Sequence, residues 1–131
     1  MSITAQSRLS PAAGFATRAV RGGLAPDPTT GAILTPVYQS TTFVQEAIGR
    51  DRGYTYSRTA NPTVAALERN LAAIEEVPWA LAFATGMAAL STLLLATLRA
   101  GDHVAVSKVV YGGTVRLLRQ VLADFGVEST F

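Results

Sequence analysis

Cysteine is absent from these 131 residues, which excludes disulfides and thiolate metal sites. Histidine occurs once, at His103, and lysine once, at Lys108. Carboxylates never cluster at ligand spacing, so no protein-built metal site is expected. Charge is sparse as well: 15% of residues are charged, the net charge is +2, and the arginines are scattered without a basic run. Nothing in that pattern suits nucleic acid. A signal-peptide core is missing, because Arg8, Pro11 and Arg18 interrupt the stretch from Met1 to Arg21, and the cytoplasm is the expected location. One charge-free run, Val77 to Leu98, is long enough to span a bilayer. Thr85-Gly86, Ser91, Thr92 and Thr97 break it up, which leaves a membrane or assembly module as the weaker alternative.

What is present is a hydrophobic fraction of 49%, enough for one domain with a core. Met1 to Arg52 shows little periodicity and is punctuated by Gly22-Gly23, Pro26, Pro28, Gly31 and Pro36, the marks of an extended arm. Val37 to Phe43 is expected to form a brief strand within it. Helix signals are strongest from Pro62 to Glu76, where Val64, Leu67, Leu71 and Ile74 repeat at the spacing of one buried face, with Arg69 and Asn70 opposite. A buried strand over Ala80 to Thr85 follows, then an apolar helix over Gly86 to Leu98. His103 to Ser107 reads as a second strand. An amphipathic helix over Gly113 to Phe125 buries Val115, Leu118, Leu122 and Phe125, and Gly126 is its stop. Val127 to Phe131 starts a third strand. The order β-α-β-α-β predicts an α/β fold with a parallel sheet, preceded by the arm. Two regions result: 1–61, the arm and the loop that ends it, and 62–131, the first part of an α/β domain. Three strands make a poor closed core, so the chain is expected to be the front part of a larger protein.

Three motifs carry chemistry. Tyr56-Ser57-Arg58-Thr59-Ala60-Asn61-Pro62-Thr63 places a phenol and a guanidinium two residues apart, ahead of a helix with Asn as cap and Pro at its first position. Tyr and Arg so placed suit an oxyanion such as a phosphate. Thr85-Gly86-Met87 lies where a strand feeds a helix, and helix N–H groups there favour an anion. A plain tight turn explains the same residues equally well. Tyr111, at the C-terminal edge of the next strand, can lie flat on a planar ligand, with Arg116 one turn further on; a half-buried tyrosine and a surface arginine are the alternatives. Together the motifs suit a planar aromatic cofactor that bears a phosphate.

The pieces YSRTANPT, ATGMAA and VVYGGTVR, with GFATRAV and PVYQSTTF before them, resemble the Cys/Met-metabolism family of pyridoxal-phosphate enzymes. The resemblance runs from about Gly14 to Phe131. It implies the large domain of an aspartate-aminotransferase-like, pyridoxal-phosphate-dependent transferase fold, with pyridoxal 5'-phosphate as cofactor. Gly86 and Met87 then match the backbone donors to the cofactor phosphate. Tyr111 matches the tyrosine that stacks on the pyridine ring, which makes it the catalytic acid/base candidate. Tyr56 and Arg58 match a pair that binds the phosphate of a neighbouring subunit's cofactor, implying a homodimer or tetramer with shared sites. Arg116 matches a substrate-binding position. The implied substrates are small amino acids, and the implied reaction is cystathionine γ-synthase-like γ-replacement on an O-acyl-homoserine with cysteine. Cystathionine γ-lyase, O-acetylhomoserine sulfhydrylase and methionine γ-lyase activities are alternatives on the same scaffold.

Departures from the family pattern are few. Thr85 stands where serine is frequent, and Gly113 stands where the methionine γ-lyase branch typically has cysteine. Lys108 does not match the family's cofactor-bearing lysine, since it precedes the stacking tyrosine by three residues. That lysine and the aspartate on the pyridine nitrogen are expected in a later part of the protein, so these 131 residues are expected to be inactive alone.

Overall fold

A computed structural model of the chain describes residues 9–10 and 12–131. The first eight residues of the expected arm, and Pro11, lie outside the described residues. Two compact units are present, one ending at Ala82 and the other covering Phe83–Phe131. The sequence places its boundary between 61 and 62. The units divide later because the first long helix packs with the arm.

In the first unit, α1 (Phe15–Arg21) packs against α2 (Pro62–Ile74). The arm reaches α2 through polar groups. Asn70 Nδ2 donates to the Gly22 carbonyl at 2.8 Å and to the Arg18 carbonyl at 3.3 Å, and Arg18 pairs with Glu76. Gly23, with φ of +67°, lies so close to α2 that a Cβ would stand 2.2 Å from the Arg69 carbonyl oxygen. The expected buried face is therefore corrected: Val64, Leu67 and Leu71 are exposed, Ile74 is only half-buried, and the fully buried positions are Ala66 and Ala72. Periodicity found the apolar stripe, but within this unit the arm lies on the opposite, small-residue side. Glu76 sits in the left-handed region at φ 55°, and Val77 N–H returns to the Ala72 carbonyl, so α2 ends by the 6→1 closure of a Schellman turn.

The expected strand over Val37 to Phe43 reduces to an isolated antiparallel bridge between Thr42 and Tyr56. Phe43 N–H donates to the Thr55 carbonyl and Ser57 N–H to the Thr41 carbonyl, which folds 41–57 back on itself as a short hairpin. At its closed end Glu46 pairs with Arg52 at 3.0 Å, and the rings of Phe43 and Tyr54 approach to 5.6 Å.

In the second unit, α3 (Gly86–Thr97) leads through a turn at Gly101 (φ +92°) to β1 (His103–Ala105). A longer helical segment then begins as α4 (Gly112–Arg116), widens into a π turn over Leu117–Val121 and tightens into a 3₁₀ turn over Leu122–Phe125. Gly126, left-handed at φ 79°, stops it, and β2 (Glu128–Thr130) follows. β1 and β2 pair in parallel, with His103 opposite Glu128 and Ala105 opposite Thr130. His103 Nε2 bonds Thr130 Oγ1 at 2.8 Å across them, a structural tie. Leu118, Leu122 and Val127 form the core, covered by Leu94, Leu98, Val104, Val106, Leu117 and Phe131.

Three expectations change from Ala80 onward. No strand forms over Ala80 to Thr85, and Leu81 and Phe83 are exposed, because no neighbouring strand among the described residues pairs with that segment. Among the described residues the sheet accordingly has two strands instead of three. Phe125 leaves the buried stripe and is exposed: passing from about 3.6 residues per turn through a π turn to a 3₁₀ turn rotates the later positions out of phase with Leu118. Among the described residues no helix is long and apolar enough to cross a membrane.

Candidate active site

Thr85 and Asn61 each cap a helix, and the caps leave different groups free. Thr85 is extended at φ −147°, and its Oγ1 accepts the Ala88 N–H at 3.0 Å. Its carbonyl accepts the Ala89 N–H. The N–H groups of Gly86 and Met87, the first two of α3, have no acceptor among the described residues. They carry the positive end of a twelve-residue helix dipole. These are the two donors singled out from the sequence. A cavity of about 490 Å³ opens beside them, lined by Thr85, Gly86, Met87, Leu90, Tyr111 and Thr114. Its size lies in the range of small-molecule sites, about 300–1,000 Å³.

The structure thus brings Gly86, Met87 and Tyr111 to one cavity. Tyr111 is 69% exposed, so one side of its ring is open for stacking. Its carbonyl accepts the Thr114 N–H at 2.9 Å, which starts α4. Two cavity residues were not singled out in the sequence, Leu90 and Thr114. Spacing alone was the available signal: Leu90 falls one turn after Gly86 and Thr114 three residues after Tyr111. Arg116, one turn along α4, is exposed and is not among the lining residues.

Tyr56 and Arg58 belong to the first unit. Arg58 lies over the Tyr56 ring, its guanidinium carbon 5.0 Å from the centroid, and no carboxylate among the described residues pairs with it. Their backbone is fixed at several points. Ser57 Oγ donates to the Ser40 carbonyl at 2.5 Å, and the Tyr56 carbonyl accepts from Thr59 N, Thr59 Oγ1 and Ala60 N. Asn61 accepts the Thr63 N–H at 2.8 Å, while its Nδ2 donates to the Tyr38 carbonyl and to Ser57 Oγ. Pro62 has no N–H to offer. Of the first three α2 residues only Val64 keeps an N–H with no acceptor among the described residues, so the start of α2 offers one backbone donor where α3 offers two.

A phosphate fits the second unit's turn on the observation of its two unpaired N–H groups, and a flat ring fits against the open face of Tyr111. The sequence model of the Cys/Met metabolism PLP-dependent enzymes matches residues 16–131. The chain belongs to that family. Its cofactor is pyridoxal phosphate. Among curated relatives, a probable cystathionine gamma-synthase of Herpetosiphon aurantiacus is 49% identical over 118 residues, covering 90% of this chain and 37% of that protein. A cystathionine gamma-lyase of Bacillus subtilis is 44% identical over 112 residues, covering 86% of this chain and 29% of its own length. A crystal structure of metB from Corynebacterium glutamicum superposes with a TM-score of 0.84 at 43% identity, over 91% of this chain and 31% of that one. The chain therefore spans about a third of the length of the relatives it matches.

Proposed function

We propose that the chain forms part of the active site of a cystathionine γ-synthase-like enzyme. In this reading cysteine replaces the acyloxy group of an O-acyl-homoserine, giving cystathionine and the free carboxylic acid. Support for the family's chemistry comes chiefly from one observation: the unpaired Gly86 and Met87 N–H groups share a cavity with the open face of Tyr111. Support for the synthase over its relatives comes from the 48–51% identity to proteins named gamma-synthase. Relatives named gamma-lyase and beta-lyase are 44% and 48% identical, and they keep cleavage of cystathionine as the second reading.

Bound pyridoxal phosphate would supply an electron sink for carbanions formed at the substrate's amino-bearing carbon and at the carbon next to it. The residues of this chain bind and orient. Gly86 and Met87 N–H donate to the phosphate, where charge-assisted bonds are stronger than neutral ones. Tyr111 stacks its ring and holds a hydroxyl able to take or return a proton. Tyr56 and Arg58 donate to the phosphate in a partner subunit, and Arg116 binds the substrate. The cofactor-bearing lysine comes from outside these residues, since Lys108 is the one lysine here and does not line the cavity.

The test is to supply the intact enzyme with O-acyl-homoserine and cysteine in one assay and with cystathionine in another. Cystathionine formation faster than its cleavage is expected. Cleavage without formation would assign a lyase instead, and an enzyme without visible absorbance from a borohydride-sensitive cofactor would sink the whole reading.

A further inference from the structure

Gly112 and Gly113 stand together at the start of α4, yet only one of them is required for space. A Cβ on Gly112 would meet nothing within 4 Å. A Cβ on Gly113 would stand 2.6 Å from Tyr111 Cε1, 3.0 Å from Tyr111 Cδ1 and 3.1 Å from Met87 Sδ. Neither glycine is in the left-handed region, so backbone conformation does not account for them. The atoms in the way belong to an exposed ring and a flexible thioether, and these yield before the main chain does. A side chain at 113 would therefore leave the turn folded and move the tyrosine.

We propose that Gly113 is a positioning residue for Tyr111. Its bare Cα lets the ring lie down on the turn beside the Met87 side chain, and this sets the angle at which the ring covers the cavity at Thr85–Met87. The inference rests on the cofactor reading for the identity of the ligand, and goes beyond it by assigning ring orientation to one residue of the glycine pair.

The matched variants Gly113→Ala and Gly112→Ala test this in the intact enzyme. Cofactor-free protein is titrated with pyridoxal phosphate, and the visible circular dichroism of the bound cofactor reports the ring's surroundings. Gly113→Ala is expected to weaken binding about five- to tenfold, the scale of a lost aromatic stack, and to change the dichroic band. Gly112→Ala should leave both unchanged. In a Tyr111→Ala background no ring remains to be displaced, so adding Gly113→Ala should cost nothing more. That background also guards against misfolding, because it restores the missing space. A Gly113→Ala enzyme with parental affinity and dichroism overturns the proposal, as does an equal loss when Tyr111 is already alanine. Failure of the unmutated enzyme to bind pyridoxal phosphate overturns the functional reading, and this proposal with it, before any variant is made.

Discussion

Both helix starts that flank the chemistry are capped by a polar side chain, and they end up with different capacities. At α2, Asn61 takes the Thr63 N–H and Pro62 has none, so only the Val64 N–H lacks an acceptor among the described residues. Asn61's amide nitrogen is engaged too, holding the Tyr38 carbonyl and Ser57 Oγ. At α3, Thr85 takes only the third N–H, and those of Gly86 and Met87, beside a cavity, have no acceptor among the described residues. One cap leaves a single N–H and braces a loop; the other leaves two adjacent N–H groups beside a cavity. In the functional reading the octapeptide's affinity for an anion comes chiefly from the Tyr56 and Arg58 side chains. Side chains on a braced loop can be presented outward, whereas backbone donors serve only what lies against their own helix end.

The largest predicted effect separates these two roles between subunits. In the functional reading, Arg58 serves a partner's cofactor and Tyr111 serves the cofactor of its own chain. Arg58→Ala and Tyr111→Ala enzymes should each be severely impaired. Dissociated, mixed and reassembled, half of the dimers are hybrids in which one of the two sites has both residues intact. Activity should return to roughly a quarter of the parental level. If Arg58 instead serves its own chain's site, every hybrid site lacks one residue and mixing restores nothing.

A smaller effect bears on the bracing itself. Asn61→Ala removes a cap worth ~1 kcal/mol and two further hydrogen bonds of about 1 kcal/mol each, so it should destabilise the start of α2 by roughly 2–3 kcal/mol. Thr85→Ala removes the cap alone and should cost α3 about 1 kcal/mol. Amide hydrogen exchange in the first turn of each helix reads the two losses separately. Equal losses would mean that the contacts to Tyr38 and Ser57 do not hold the loop.

How much of this was legible beforehand follows the same division. The Asn61 cap, Pro62, the Gly126 stop and the Leu118–Leu122 stripe are local signals, and each is seen in the structure. Gly86, Met87 and Tyr111 were expected at one site, and the structure brings them to one cavity although the strand expected before Gly86 does not form. Burial was not readable from spacing. The stripe of Val64, Leu67 and Leu71 marks what can be covered, while the cover here is an aperiodic arm held by Asn70 and Gly23 on the other side. Nor was the fate of Ala80 to Thr85, since a strand exists only when another backbone pairs with it. The role of Gly113 was hidden for a related reason: a glycine's neighbours are known only once the ring of Tyr111 has been placed.

The smallest effect uses acid as a probe of the arm alone. Asp27 accepts bonds from Thr30 N at 2.8 Å, Thr30 Oγ1 at 2.9 Å and Thr29 N at 3.1 Å, with Tyr38 OH at 3.4 Å. Those bonds, the one from the Thr30 backbone foremost, hold its carboxyl below the ordinary 3.8. A depressed carboxylate contributes stability that is present above 3.8 and is lost as pH falls through the lower folded value. Amide exchange at Thr29 and Thr30, followed from neutral pH downward, should stay protected to below 3.8 and then rise relative to intrinsic rates. Asp27→Asn should remove most of that pH dependence, because a neutral amide does not lose its acceptor to a proton. The bonds around Gly86 and Met87 involve a hydroxyl and main-chain groups, so protection in α3 should not follow the same curve. A common acid transition in both regions would show that the arm's carboxylate and the cradle are coupled, and the contrast between a braced region and an open one would then be a property of the whole molecule.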